Sequence, residues 1–309
     1  MEPAGPEPSR SVAARAHLDR GLRLEQAGNY ERALDAYRDA LAADPTAAEE
    51  VDARLRSARV YRAMADYSRC LAEAREAVRL ADEIDAHDLA AEAMNVEVGA
   101  LQLQSQLDAA DALATQALKR AKSPRVRGIT LQNLGRSAAE RRDFVTSDRY
   151  FDQSIDAFRS ANYDIGLAVA LCNAARAALD RGSAERSIEI GQEAIAIARR
   201  LNALDILLTS VENQAAALVA LGNLESAESL LTEALGHFTS ARNILRQAEC
   251  LEIMGQMSEL RPDRETAIRC YTRALELATA AGDRTLSGRL ESRLTRARDG
   301  SGEPKARRS

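Results

Sequence analysis

A short signature recurs at a fixed step of forty residues: Asn133-Leu134-Gly135, Asn173-Ala174-Ala175 and Asn213-Gln214-Ala215. Each copy is followed nine residues later by a turn and the start of a second helix, with small residues at set offsets. One supersecondary unit of this length cannot bury its apolar face alone, so a fixed period of this size implies a stack of repeats whose neighbours cover one another. A stack presents a long surface, so the chain is expected to bind something before it does anything else.

Composition says how the stack is filled. Apolar residues make up 46% of the 309-residue chain, charged residues 29% and aromatics 4%, with no Trp. The core must therefore come from Ala, Leu, Ile and Val packed between helices at close approach. The net charge of −5 argues against general nucleic-acid binding, which favours a basic surface. Only Lys119, Lys122 and Lys305 among the 42 basic residues are lysines, a bias that suggests a GC-rich bacterial genome. No apolar run reaches 18 residues, so no membrane span is expected. Met1–Arg10 is rich in Pro and Glu and lacks the apolar stretch of a signal peptide. Cys70, Cys172, Cys250 and Cys270 form no CxxC pair and read as small buried hydrophobes in a reducing cytoplasm.

Proline marks the boundaries. Pro45 and Pro124 fall between repeats, Pro262 falls in a turn, and none interrupts a long periodic segment. Seven repeats follow. The first carries Gly21, Leu24, Gly28-Asn29-Tyr30, Ala33, Tyr37 and Ala40, and the last carries Met254, Gly255, Ala267, Tyr271 and Ala274. Leu286, Leu290 and Leu294 then line one face of a closing helix near 284–298. Residues 1–12 and 299–309 read as disordered tails flanking a repeat domain over 13–298.

The Gly-x-Tyr turn, the Ala-aromatic-Ala second helix and the closing Pro45 resemble the tetratricopeptide repeat. That resemblance implies an all-α, right-handed α-solenoid of about seven helix pairs plus a C-terminal capping helix. The turn position recurs at Tyr30, Tyr67, Leu107, Phe144, Ala184, Leu224 and Arg264, giving steps of 37, 40, 37, 40, 40 and 40 residues. The usual repeat is about 34 residues. The longer step resembles the branch of the family found in peptide-sensing bacterial regulators, ligand-sensing domains of large activators and polarity scaffolds.

No HExxH, GxSxG, phosphate-binding loop or metal-ligand spacing is present, and His17, His87 and His237 lack matching partners. No catalytic activity and no cofactor are expected. The resemblance places the first helix of each pair on the concave groove, with Asn133, Asn173 and Asn213 facing inward and Arg136 and Arg176 three residues on. An Asn amide both donates and accepts, so a ladder of them could hold a peptide backbone. Arg adds charge-assisted bonds to a carboxylate. Asn is also the family consensus there, and Glu140 and Asp180 could neutralise the two arginines internally. The register of the third repeat is open, so Asn95 joins or misses the ladder. Arg56, Arg59 and Arg62 form a secondary stripe for an acidic partner, unless Glu49, Glu50 and Asp52 neutralise it. The lysines that family clamps use for chaperone tails are missing. The expected partner is thus a protein or an extended, acidic peptide segment, with no nucleic acid and no membrane. Self-association is compatible with the pattern. The expected role is that of a scaffold or adaptor, the alternative being a regulatory subunit that changes pitch on binding a signal.

Overall fold

The computed structural model describes residues 10–261 and 263–299. Fifteen α-helices and no strand occur among them. They are α1 (Arg10–Gln26), α2 (Tyr30–Ala42), α3 (Ala47–Ala63), α4 (Tyr67–Glu83), α5 (His87–Leu103), α6 (Leu107–Arg120), α7 (Pro124–Glu140) and α8 (Phe144–Ser160). There follow α9 (Asp164–Asp180), α10 (Ala184–Arg200), α11 (Leu204–Ala220), α12 (Leu224–Ser240), α13 (Ile244–Glu259), α14 (Arg264–Ala280) and α15 (Arg284–Asp299). Seven pairs and a closing helix result, and each turn position read from the sequence, from Tyr30 to Arg264, opens an even-numbered helix. The repeat domain begins earlier than residue 13, because α1 starts at Arg10, and α15 runs one residue past 298. Residues 1–9 and 300–309, and Pro262 with its expected turn, lie outside the described residues.

Short polar side chains start many of these helices. Thr46 and Glu49 form a reciprocal capping box on α3. Asp66, Asp143, Asn223, Asn243 and Asp263 each accept a backbone N–H three residues on. Ser123 caps α7 directly before Pro124, whose missing N–H costs nothing at the first helical position. Most of the helices end on a residue with positive φ. It is Gly at 28, 182, 222 and 282, but Ala65 and Arg142 take the same conformation without that freedom.

Within a pair, an aromatic ring often rests on a glycine sixteen residues earlier. A Cβ on Gly21, Gly135 or Gly255 would lie 2.3, 2.9 or 2.5 Å from the ring of Tyr37, Phe151 or Tyr271. All three rings are buried. Glycine thus lets two helix backbones close on a ring, and alanines complete the crossing.

The chain divides into two compact units, Met1–Tyr163 and Asp164–Ser309. In the first unit α1 touches α3, α3 touches α5 and α5 touches α7; in the second α9 touches α11, α11 touches α13 and α13 touches α15. No even-numbered helix contacts another among the described residues. Each unit therefore has a continuous layer of odd-numbered helices with the even-numbered ones standing behind.

Candidate functional site

The odd-helix layer of the first unit is bound together through α5, whose residues from Ala90 to Gln102 are all buried. Four of them are polar, and each reaches a neighbour. Asn95 donates Nδ2 to Thr130 Oγ1 at 2.8 Å and accepts from Asn133 Nδ2 at 3.1 Å. Gln102 donates to the Asn133 carbonyl at 2.7 Å and to Ser137 Oγ at 2.8 Å. Glu97 takes Arg75 of α4 at 2.8 Å. Glu92, 7% exposed, takes Arg59 of α3 at 3.0 Å on Oε2 and Arg125 of α7 on Oε1. Buried polar groups are expensive unless paired, and these pairs fix the register of α3, α5 and α7.

The three asparagines of the signature therefore differ. Asn133 is buried, and its Nδ2 is committed to Asn95, which joins the ladder. Asn213 is buried and donates to the Cys172 carbonyl at 3.2 Å. Asn173 is half-buried and makes no side-chain hydrogen bond among the described residues.

The arginines differ as well. Arg176 pairs with Asp180 at 2.9 Å. Glu140 makes no ion pair with Arg136 within 4 Å, and Arg136 has no other among the described residues. The stripe on α3 splits three ways. Arg56 takes Asp52 at 2.8 Å. Arg59 takes Glu92 rather than an acid of its own helix. Arg62 has neither hydrogen bond nor ion pair among the described residues. Glu50 serves Arg54 instead, and Glu49 serves the Thr46 cap. Burial lowers the Arg62 pKa, against the opposing pull of Cys70, and the like charges of Arg59 and Arg136 lower it further. Burial also lowers that of Arg136, against the weaker pull of Glu140.

The second unit holds a comparable carboxylate. Glu252 of α13 is 5% exposed and bridges Arg289 at 2.7 Å and Arg293 at 2.8 Å, both from α15. Burial pushes the Cys250 thiol up to about 12 and the Cys70 thiol up to about 11. Cys270 is only half-buried, unlike the other three. No group of three His, Cys, Asp or Glu suited to a metal ion occurs among the described residues. No helix there is long and apolar enough to cross a membrane.

Sequence reasoning missed Glu92, Gln102, Arg125 and Glu252. The available signal was four polar residues inside the otherwise apolar α5 segment, which cannot all face water.

Residues 14–47 match the family model described as tetratricopeptide repeat. The seven helix pairs give the described residues the fold of a tetratricopeptide-repeat array. Among solved structures, a Rap protein complexed with competence and sporulation factor is similar at TM-score 0.62 and 14% identity, over 96% of this chain and 78% of that one. Aspartyl phosphate phosphatase F from Bacillus subtilis is similar at TM-score 0.59 and 15% identity, over 97% and 83%. A signal transduction ATPase with numerous domains from Pyrococcus horikoshii, which has a tetratricopeptide repeat sensor, matches at TM-score 0.64 and 12% identity. The match covers 90% of this chain and 44% of that one. Identities this low show a shared fold alone. No curated protein sequence matches the chain.

Proposed function

We propose that the chain is a non-catalytic scaffold or adaptor that holds an extended protein or peptide segment on the odd-helix layer of its second unit. The observation that carries this reading is Asn173: a half-buried amide with donor and acceptor both unused among the described residues. Asn213, in the same unit, supports it, because it spends its Nδ2 internally while its Oδ1 accepts nothing among the described residues. A peptide N–H would satisfy that oxygen, and a backbone amide would satisfy Asn173 in both senses. Four free cysteines support a reducing, cytoplasmic setting.

The second reading is a signal-responsive regulatory subunit acting on a separate chain. The likeness to a Rap protein bound to competence and sporulation factor, and to an ATPase with a repeat sensor, favours it by analogy of fold.

The test is selection of random 15-residue peptides on the immobilised chain, with bound peptides sequenced by mass spectrometry. The scaffold reading expects retained peptides and weaker retention by Asn173→Ala, whose helix content should match wild type. Equal retention by both proteins contradicts a role for Asn173, and absence of any retained peptide contradicts the reading. The regulatory reading adds a change in radius of gyration on binding, measured by solution scattering.

A further inference from the structure

In three helix pairs a buried ring rests on a glycine of the preceding helix: Tyr37 on Gly21, Phe151 on Gly135 and Tyr271 on Gly255. The same two positions in α9 and α10 hold Ala175 and Gly191. Neither helix carries an aromatic residue, and none occurs between Tyr163 and Phe238. In α12 the buried Leu231 takes the ring's position, opposite Ala215 of α11. In α4 Ala74 takes it, opposite Ala58, inside an apolar cluster with Leu55 and Tyr61. Of the even-numbered helices only α10 has a glycine there.

What covers Gly191 is polar. A Cβ on it would have Gln214 Oε1 of α11 as its nearest neighbour at 3.7 Å, followed by Ala175 Cβ and Gln214 Cβ at 3.9 Å. Gln214 is 9% exposed, and its Oε1 is buried without a hydrogen-bond partner. Ser187 stands one turn before Gly191 on the same face of α10. It is 0% exposed, and its Oγ has no partner either. The matching serine of α8, Ser147, donates to the Gly135 carbonyl at 3.0 Å, a bond that Ser187 does not make to Ala175. Buried polar atoms are expensive when unpaired, and an apolar side chain at 214 would cover Gly191 without that cost. An orphaned acceptor and an orphaned hydroxyl therefore flank the one place in the repeat series where the ring position has no side chain.

We propose that this place between α9, α10 and α11 is a binding site for a small phenol. The ring lies against Ala175 and Gly191, as the protein's own rings lie on Gly21, Gly135 and Gly255. The phenolic O–H donates to Gln214 Oε1, and the phenolic oxygen accepts from Ser187 Oγ. One hydroxyl thus satisfies both orphaned groups while the ring supplies the apolar contact. The flexible Gln214 side chain gives way to admit the ring. The site does not rest on the peptide-binding reading.

The test is isothermal titration of the full chain with phenol and with toluene, the same ring with a methyl group in place of the hydroxyl. Wild type is compared with Gly191→Phe, which puts a ring of the protein's own into the site, and with Gln214→Met, which keeps the length of Gln214 and removes its carbonyl. Far-UV circular dichroism matching wild type shows that the variants fold. Wild type is expected to bind one phenol per chain about tenfold more tightly than toluene, the worth of one good hydrogen bond. Gly191→Phe is expected to bind neither, and Gln214→Met to bind the two about equally. No saturable uptake of phenol by wild type overturns the proposal. Undiminished phenol binding by a folded Gly191→Phe overturns it too, by placing the phenol elsewhere. Should Gly191→Phe fail to fold, Gln214→Met decides alone: a retained tenfold preference for phenol contradicts the assigned contact, and its loss supports it.

Discussion

Asn133 and Asn95 are joined side chain to side chain, Nδ2 to Oδ1 at 3.1 Å, across the contact between α7 and α5. An asparagine of the repeat signature is thus a fastener between neighbouring helices. The same is true of Asn213, which is fastened to the Cys172 carbonyl. Asn173 is not fastened in this way.

This difference predicts unequal costs. Asn133→Ala strands the Asn95 acceptor in a buried position and should cost about 1–3 kcal/mol. Asn173→Ala removes no internal bond and should change stability by less than about 0.5 kcal/mol. Urea unfolding of the two variants checks this, and equal losses would contradict the assignment of roles.

Glycine replacement should divide by position. Gly255→Ala drives a Cβ into the buried Tyr271 ring and is expected to cost about 1–3 kcal/mol. Gly236→Ala meets nothing within 4 Å in the middle of α12 and should stabilise by about 0.5–1 kcal/mol. Thermal melts of both give the sign.

The closing helix depends on one carboxylate. Glu252→Ala leaves Arg289 and Arg293 without their shared partner beside the buried Leu286, Leu290 and Leu294. The cost should be about 3 kcal/mol, at the low end for a buried pair because Arg289 is half exposed. Hydrogen exchange should speed up first in α15, and uniform acceleration across the chain would contradict a local role.

Acid should loosen the helix caps. Hydrogen bonds from the Thr146 hydroxyl and N–H hold the Asp143 carboxyl below its usual value, and Thr266 does the same for Asp263. The Arg69 N–H lowers Asp66. A depressed folded-state pKa means that the stabilisation is present above the unfolded value, near 3.9, and is lost as pH falls through the folded one. Unfolding should begin below about pH 4. Changing all three to Asn keeps the cap, as Asn223 and Asn243 show, and removes the titration. The acid limb should flatten, and an unchanged limb would place the acid sensitivity elsewhere.

The helix pairs were legible because their signals are local. A turn residue, a glycine nine residues before it and a ring sixteen residues after that glycine all lie within one repeat, as Gly21, Tyr30 and Tyr37 do. The inner layer was less legible because its bonds join residues of different repeats. Arg59 meets Glu92 and Glu92 meets Arg125, each 33 residues apart. Those pairings follow from how α3, α5 and α7 stack where the step alternates between 37 and 40. The acids nearest Arg59 in sequence were therefore the wrong partners to expect, and the freedom of Arg62 could not be seen.

The most direct measurement is hydrogen exchange on the free chain and on the chain bound to a selected 15-residue peptide. The account predicts slowed exchange in α9 and α11, which carry Asn173 and Asn213, with the even-numbered helices of that unit unchanged. Protection confined to the even-numbered helices, or none on binding, would contradict the odd-helix layer as the binding surface.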